Sequence, residues 1–133
     1  MLTLQTQPDS NEPSVLDSIN VEQQKTPKLQ SALCTTRGGA KRDLKDWNEG
    51  IRPGEKAHAL TPKHFHPCTL LGAIHMALGK YDLGQAWYAK AVARGATVDS
   101  VDRDIHAVFR QSDRNKRIEM KTFLLREDPV RYN

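Results

Sequence analysis

At 133 residues the chain has room for one small domain, and a helical core of about 100 residues can hold without metal or disulfide staples. Two cysteines, no basic-then-apolar leader near Met1 and no run of roughly 18 to 20 apolar residues argue against a disulfide-rich secreted scaffold and a membrane-spanning helix, and lead us to expect a reduced, cytoplasmic protein. The net charge of +4 is uneven: residues 1–33 carry four acids and two bases, residues 34–133 twelve acids and eighteen bases, an excess that favours acidic partners, either an anionic peptide or nucleic acid.

Residues 1–30 are rich in Gln, Ser, Asn, Thr and Pro and show little apolar periodicity, so they are expected to form a disordered polar tail. Within them Val15, Leu16, Ile19 and Val21 make a short amphipathic piece that suits a helix turn or a docking contact. Arg37-Gly38-Gly39-Ala40-Lys41-Arg42 follows, where two glycines are expected to weaken a helix and release backbone amides to an anion. Arg37, Lys41, Arg42 and Lys45 are the candidate phosphate contacts, although the Lys-Ser/Thr ending of a nucleotide-binding loop is missing. Pro53 is expected to interrupt or kink the next helix.

Helical signals strengthen further on. Leu70, Leu71, Ile74 and Leu78 have helical spacing after Pro67, and Gly79 closes the run. Tyr81, Trp87, Tyr88, Ala91 and Val92 mark a second helix ended by Gly95, so the two form a hairpin in which Leu71, Ile74, Tyr81, Tyr88 and Ala91 face inward. Ser100 is the expected cap of a helix bearing Val101, Ile105, Val108 and Phe109. Asp113 caps another bearing Ile118, Met120 and Phe123, stopped by Pro129. No segment alternates in strand fashion, and the expected class is all-α.

Shifting the chain on itself by 34 residues aligns Cys34 with Cys68, Gly38 with Gly72, Leu44 with Leu78, Trp47 with Tyr81, Gly50 with Gly84, Lys56 with Lys90, Ala57 with Ala91 and Ala59 with Ala93. Cys68, Leu71-Gly72, His75, Gly84, Tyr88 and Ala91, with Gly79 and Tyr81 at the turn, resemble the tetratricopeptide repeat. That resemblance implies antiparallel helical hairpins stacked as a short solenoid over residues 31–133. Residues 31–64 are a degenerate repeat, 65–98 the best one and 99–133 a degenerate capping hairpin. Since about three repeats are the usual minimum, the chain also fits the C-terminal part of a longer array.

The resemblance further implies a non-catalytic protein-interaction module without cofactor, whose concave groove takes an acidic or amphipathic peptide. Carried over in register, the groove positions are Thr35, Gly39, Arg42 and Asp43, then Thr69, Ala73, Met76 and Ala77, then Arg103, Ala107, Arg110 and Gln111. Arg42, Thr69, Ala73, Met76, Arg103 and Arg110 are the expected ligand contacts. The asparagines of a carboxylate clamp are replaced by Gly39, Ala73 and Ala107. A nucleic-acid accessory role using the basic surface, including Arg114, Lys116, Arg117 and Lys121, is the alternative. His58, His64, His66, Cys68 and His75 crowd together, but their spacing lacks the two close ligand pairs of a zinc site, and His66 beside Cys68 does not define a catalytic dyad.

Overall fold

The computed structural model describes residues 26–133, so the expectation of disorder over residues 1–25 lies outside the described residues. Among them are six helices and no strand: α1 Pro27–Asp43, α2 Trp47–Leu60, α3 His66–Ala77, α4 Tyr81–Ala93, α5 Val98–Gln111 and α6 Arg114–Glu127. They pair as three hairpins in sequence, and the first helix already begins at Pro27, inside the stretch expected to be tail. Thr26 explains that start. Its side chain accepts from the Leu29 amide at 3.1 Å, and Pro27 fills the first helical position, where an amide would have no acceptor.

The helices of the first two hairpins approach until backbone meets backbone. A Cβ placed on Gly50 would lie 3.2 Å from the Gly38 carbonyl oxygen, and one on Gly84 would lie 3.0 Å from the Gly72 carbonyl oxygen. The 34-residue repeat of the sequence is thus a repeat of contact geometry. The turns repeat as well: the Asp46 amide reaches the Lys41 carbonyl at 2.8 Å and the Lys80 amide reaches the His75 carbonyl at 2.9 Å. The left-handed residue of each turn is Lys45 at φ 60° and Gly79 at φ 84°.

Two expectations for the first hairpin are overturned. The Arg37–Arg42 segment does not weaken the helix or release amides, because α1 runs unbroken through both glycines and Gly38 is spent on the contact with α2. Nor does Pro53 interrupt α2, which continues from Trp47 to Leu60. The ring withholds an amide only from the carbonyl of Glu49, an exposed residue whose oxygen water can satisfy. Gly54, at the place of the aromatic Tyr88, leaves a hole that Leu71 of the next hairpin fills: its Cδ2 would lie 2.8 Å from a Cβ there.

Helix α3 is the centre of the molecule. It packs against α1, α2, α4 and α5, and every residue from Pro67 to Ala77 is buried except Thr69. Leu71, Ile74, Tyr88 and Ala91 are buried as expected, and Tyr81 is half-buried because its hydroxyl reaches across to Glu119 on α6 at 2.9 Å. Burial and that carboxylate push the Tyr81 hydroxyl up to about 12. The third hairpin is looser: His106 and Ile118, both exposed, stand 34 residues beyond Gly72 and Gly84, so α5 and α6 lack the close glycine contact of the other two hairpins. Its first helix starts three residues earlier than Ser100 would place it, with Thr97 as the cap accepting from the Ser100 amide at 3.0 Å. Asp113 caps α6 by accepting from the Lys116 amide at 2.8 Å.

Gly84→Ala drives a methyl into the backbone of α3 and is expected to cost on the order of 1 to 3 kcal/mol in thermal or urea unfolding. Gly39→Ala is the control: its Cβ meets nothing nearer than the end of Arg42 at 3.9 Å, so it should gain about 0.5 to 1 kcal/mol of helix propensity. A separate measurement tests the first turn, where Lys45→Gly removes a left-handed side-chain clash and should raise stability by about 1 kcal/mol.

Candidate functional site

Burial of α3 closes the middle of the expected groove. Ala73 is 1% exposed and Met76 0%, both packed in the main core, so neither presents a ligand surface. Thr69 is half-buried and its hydroxyl donates to the His66 carbonyl of its own helix at 2.9 Å. Ala77 is buried too, and its carbonyl, at the negative end of α3, accepts from the Lys116 ammonium at 3.2 Å.

Arg42 faces inward chemistry. Its guanidinium donates from Nε to Asp43 at 3.2 Å, and its charge acts on the Tyr88–Asp104 pair. In that pair Tyr88, on α4, donates its hydroxyl to Asp104 on α5 at 2.6 Å, tying the second hairpin to the third. Burial holds the Asp104 carboxyl above the ordinary carboxylate range, against the Tyr88 hydrogen bond and Arg42, which pull it down. Asp104 had no place among the expected contacts, since an acid beside the apolar stripe of its helix gives no sign that a tyrosine 16 residues earlier will pair with it.

Arg103 and Arg110 are exposed, and they border an open groove of about 670 Å³ at the outer end of the stack. Phe109 and Tyr132, both half-buried, are its accessible apolar side chains, above the buried Ile105 and Leu124 of the main core, and Lys121 and Arg131 add two more cations. Arg131 is already engaged: its Nε donates to Asp102 at 3.0 Å and its guanidinium lies over the Tyr132 ring. Among the described residues no ion pair engages Arg103, Arg110 or Lys121. Phe109, expected among the core residues of its helix, is only half-buried here. His106, which stands where the second hairpin has Gly72, lines this groove, and that departure is the signal that could have found it.

The candidate phosphate contacts do not form a loop. Arg37 and Lys41 lie half-buried along α1, and Lys45 occupies the left-handed turn residue and borders a small cavity of about 120 Å³ with Trp47 and Lys116.

The histidine and cysteine cluster is dispersed, and among the described residues no three of His, Cys, Asp or Glu are arranged to hold a metal. Cys68 contacts His58 rather than His66, with Sγ 3.7 Å from Nδ1. Burial pushes the Cys68 thiol up, against the charges of Arg94 and Lys90. Burial, then Lys90 and Arg94, push the His58 imidazole down. Both partners are thus held neutral, which is the reverse of an activated thiolate. His75 is buried, with Nδ1 2.7 Å from the Leu71 carbonyl. Among the described residues no helix is long and apolar enough to cross a membrane.

The chain matches no protein-family model, and comparison with curated proteins and with solved structures gives no match either.

Asp104 generates a pH test. Because its folded carboxyl binds a proton more tightly than the unfolded one, its contribution to stability is present below the ordinary carboxylate range and is lost as pH rises through the raised value. Asp104→Asn keeps an acceptor for Tyr88 and should therefore melt higher than the parent at pH 7, with the gap closing near pH 3. Tyr88→Phe, which strands the buried carboxylate, should melt lower by about 1 to 3 kcal/mol at pH 7.

Proposed function

We propose that this chain is a non-catalytic protein-interaction module of tetratricopeptide type that binds an acidic, amphipathic peptide segment, and that it works in the cytoplasm. The observation that carries the reading is the groove on the third hairpin, where Arg103, Arg110 and Lys121 border the half-buried Phe109 and Tyr132. Apolar side chains of a peptide would enter between α5 and α6 while its carboxylates meet the arginines on the rim. Charge-assisted contacts of that kind are worth about 1.5 to 3 kcal/mol each where water is excluded. The location differs from the expected central groove: Arg103 and Arg110 remain ligand contacts, whereas Ala73 and Met76 do not. The nucleic-acid alternative loses its most specific feature, since the glycine-containing basic segment is helical and its amides are committed.

A direct test uses two labelled helical peptides of equal length, one alternating Glu with Leu on helical spacing and one with Lys in place of Glu. Fluorescence anisotropy should show the acidic peptide binding at least about tenfold tighter, with Arg103→Glu/Arg110→Glu abolishing the preference while the circular dichroism stays that of the parent. Equal binding of both peptides, or a double variant that binds as the parent does, removes this groove. A labelled single-stranded oligonucleotide serves as the third probe, and tight binding with a steep fall in added salt would favour the nucleic-acid role instead.

A further inference from the structure

The groove on the third hairpin has a length scale, set by its two exposed arginines. Arg103 and Arg110 stand seven residues apart on α5, so they lie on one stripe of the helix, about 10.5 Å apart along its axis. Inward of them the groove is lined by Asp102, His106 and Phe109, four and three residues apart and therefore on a neighbouring stripe. The His106 and Phe109 rings are stacked, with centroids 6.4 Å apart and planes 11° from parallel. In chain position both rings fall between the two arginines. Asp102 is taken up by Arg131, whose Nε donates to it at 3.0 Å, and so leaves the charge of Arg103 to a partner.

We propose, resting on the reading of this groove as an acidic-peptide site, that the partner segment binds as an α-helix with two acids seven residues apart and an apolar or aromatic residue at the third or fourth position between them. In a helix lying along α5, residues i and i+7 point to one side at the spacing of the two arginines. Residues i+3 and i+4 point the same way, onto the rings of His106 and Phe109. An extended chain lacks this pattern, because its successive residues face opposite sides. Its same-side carboxylates come about 7 Å or about 13 Å apart, and a pair three residues apart, at about 10 Å, points in opposite directions. One carboxylate would then turn away from the rim. Acids four apart on a helix share a side but come only about 6 Å apart, too close to serve both arginines. Direction counts because a planar guanidinium meets a carboxylate in a two-pronged contact only when both side chains point into the same space. The helical periodicity of the rim thus selects the same periodicity in the partner.

The test uses the full chain and labelled peptides of one composition, each an alanine- and glutamine-based helix with two adjacent leucines at its centre. One carries its two Glu seven residues apart with the leucines midway, and a second carries them five apart, which turns one Glu to another side of the helix. A third repeats the first with Pro in place of an alanine between the acids, and a fourth has Lys in place of both Glu. Fluorescence anisotropy is expected to show the seven-residue spacing binding on the order of tenfold tighter than the five-residue spacing and than the proline peptide. Arg110→Ala is expected to remove the difference between the two spacings while the circular dichroism of the protein stays that of the parent. Equal binding of the two spacings, with both tighter than the Lys peptide, overturns the proposed register and leaves the groove as an acidic-peptide site. Undiminished binding of the proline peptide means an extended partner and also overturns the proposal. Acidic peptides that bind no better than the Lys peptide overturn both the proposal and the reading on which it rests.

Discussion

The fold depends on two places where helices touch through glycine and carbonyl rather than through side chains, Gly38 against Gly50 and Gly72 against Gly84. Such contact brings helix axes to the short end of the usual 8 to 10 Å range, so that side chains flanking the contact interlock instead of splaying. Tyr88 lies over Gly72, with three of its ring atoms 3.0 Å from where a Cβ would sit. In the first hairpin the same economy works with different parts, because Gly54 lacks the aromatic and Leu71 enters from the next layer. The two hairpins are related in backbone and not in the side chains that fill them.

From that closeness follows the burial of α3. A helix clasped by four others has no face left for a ligand, which is why groove positions that would be open in a wider stack become core residues here. The cost falls on α3's own polar groups, and each is met locally: Thr69 and His75 turn to their own helix, and Lys116 reaches the carbonyl of Ala77. Accessible surface is displaced to the ends of the stack, where the close glycine contact is replaced or where no further hairpin is described.

Much of this was legible in the residues. The 34-residue period, the all-helical class, the second hairpin with its inward stripe and the Gly79 and Gly95 turns all stand, with φ of 84° and 115° at those two glycines. What escaped was of two kinds. Local rules misjudged Gly38 and Pro53, because propensity penalises these residues in isolation while tertiary packing compensates for the first and solvent tolerates the second. Register transfer misplaced Ala73 and Met76, because position along a repeat says which way a residue points and not how far the neighbouring helices stand. Tyr88–Asp104 is likewise a pairing between layers, and no local pattern announces it.

The third hairpin lacks the glycine contact of the other two. Tight hairpins bury their seams, whereas the third has exposed His106 and Ile118 at the glycine positions and leaves Phe109 half-buried beside an open groove. Tethers from the second hairpin compensate for the missing contact. Tyr88 binds Asp104 from the second hairpin, and Tyr81 holds the start of α6 through Glu119, with its ring 5.8 Å from that of Phe123. Both tyrosines belong to the tight hairpin, so the rigidity that glycine gives the centre is passed outward by aromatic side chains ending in hydrogen bonds. A groove built this way is shaped by its neighbours rather than by its own seam.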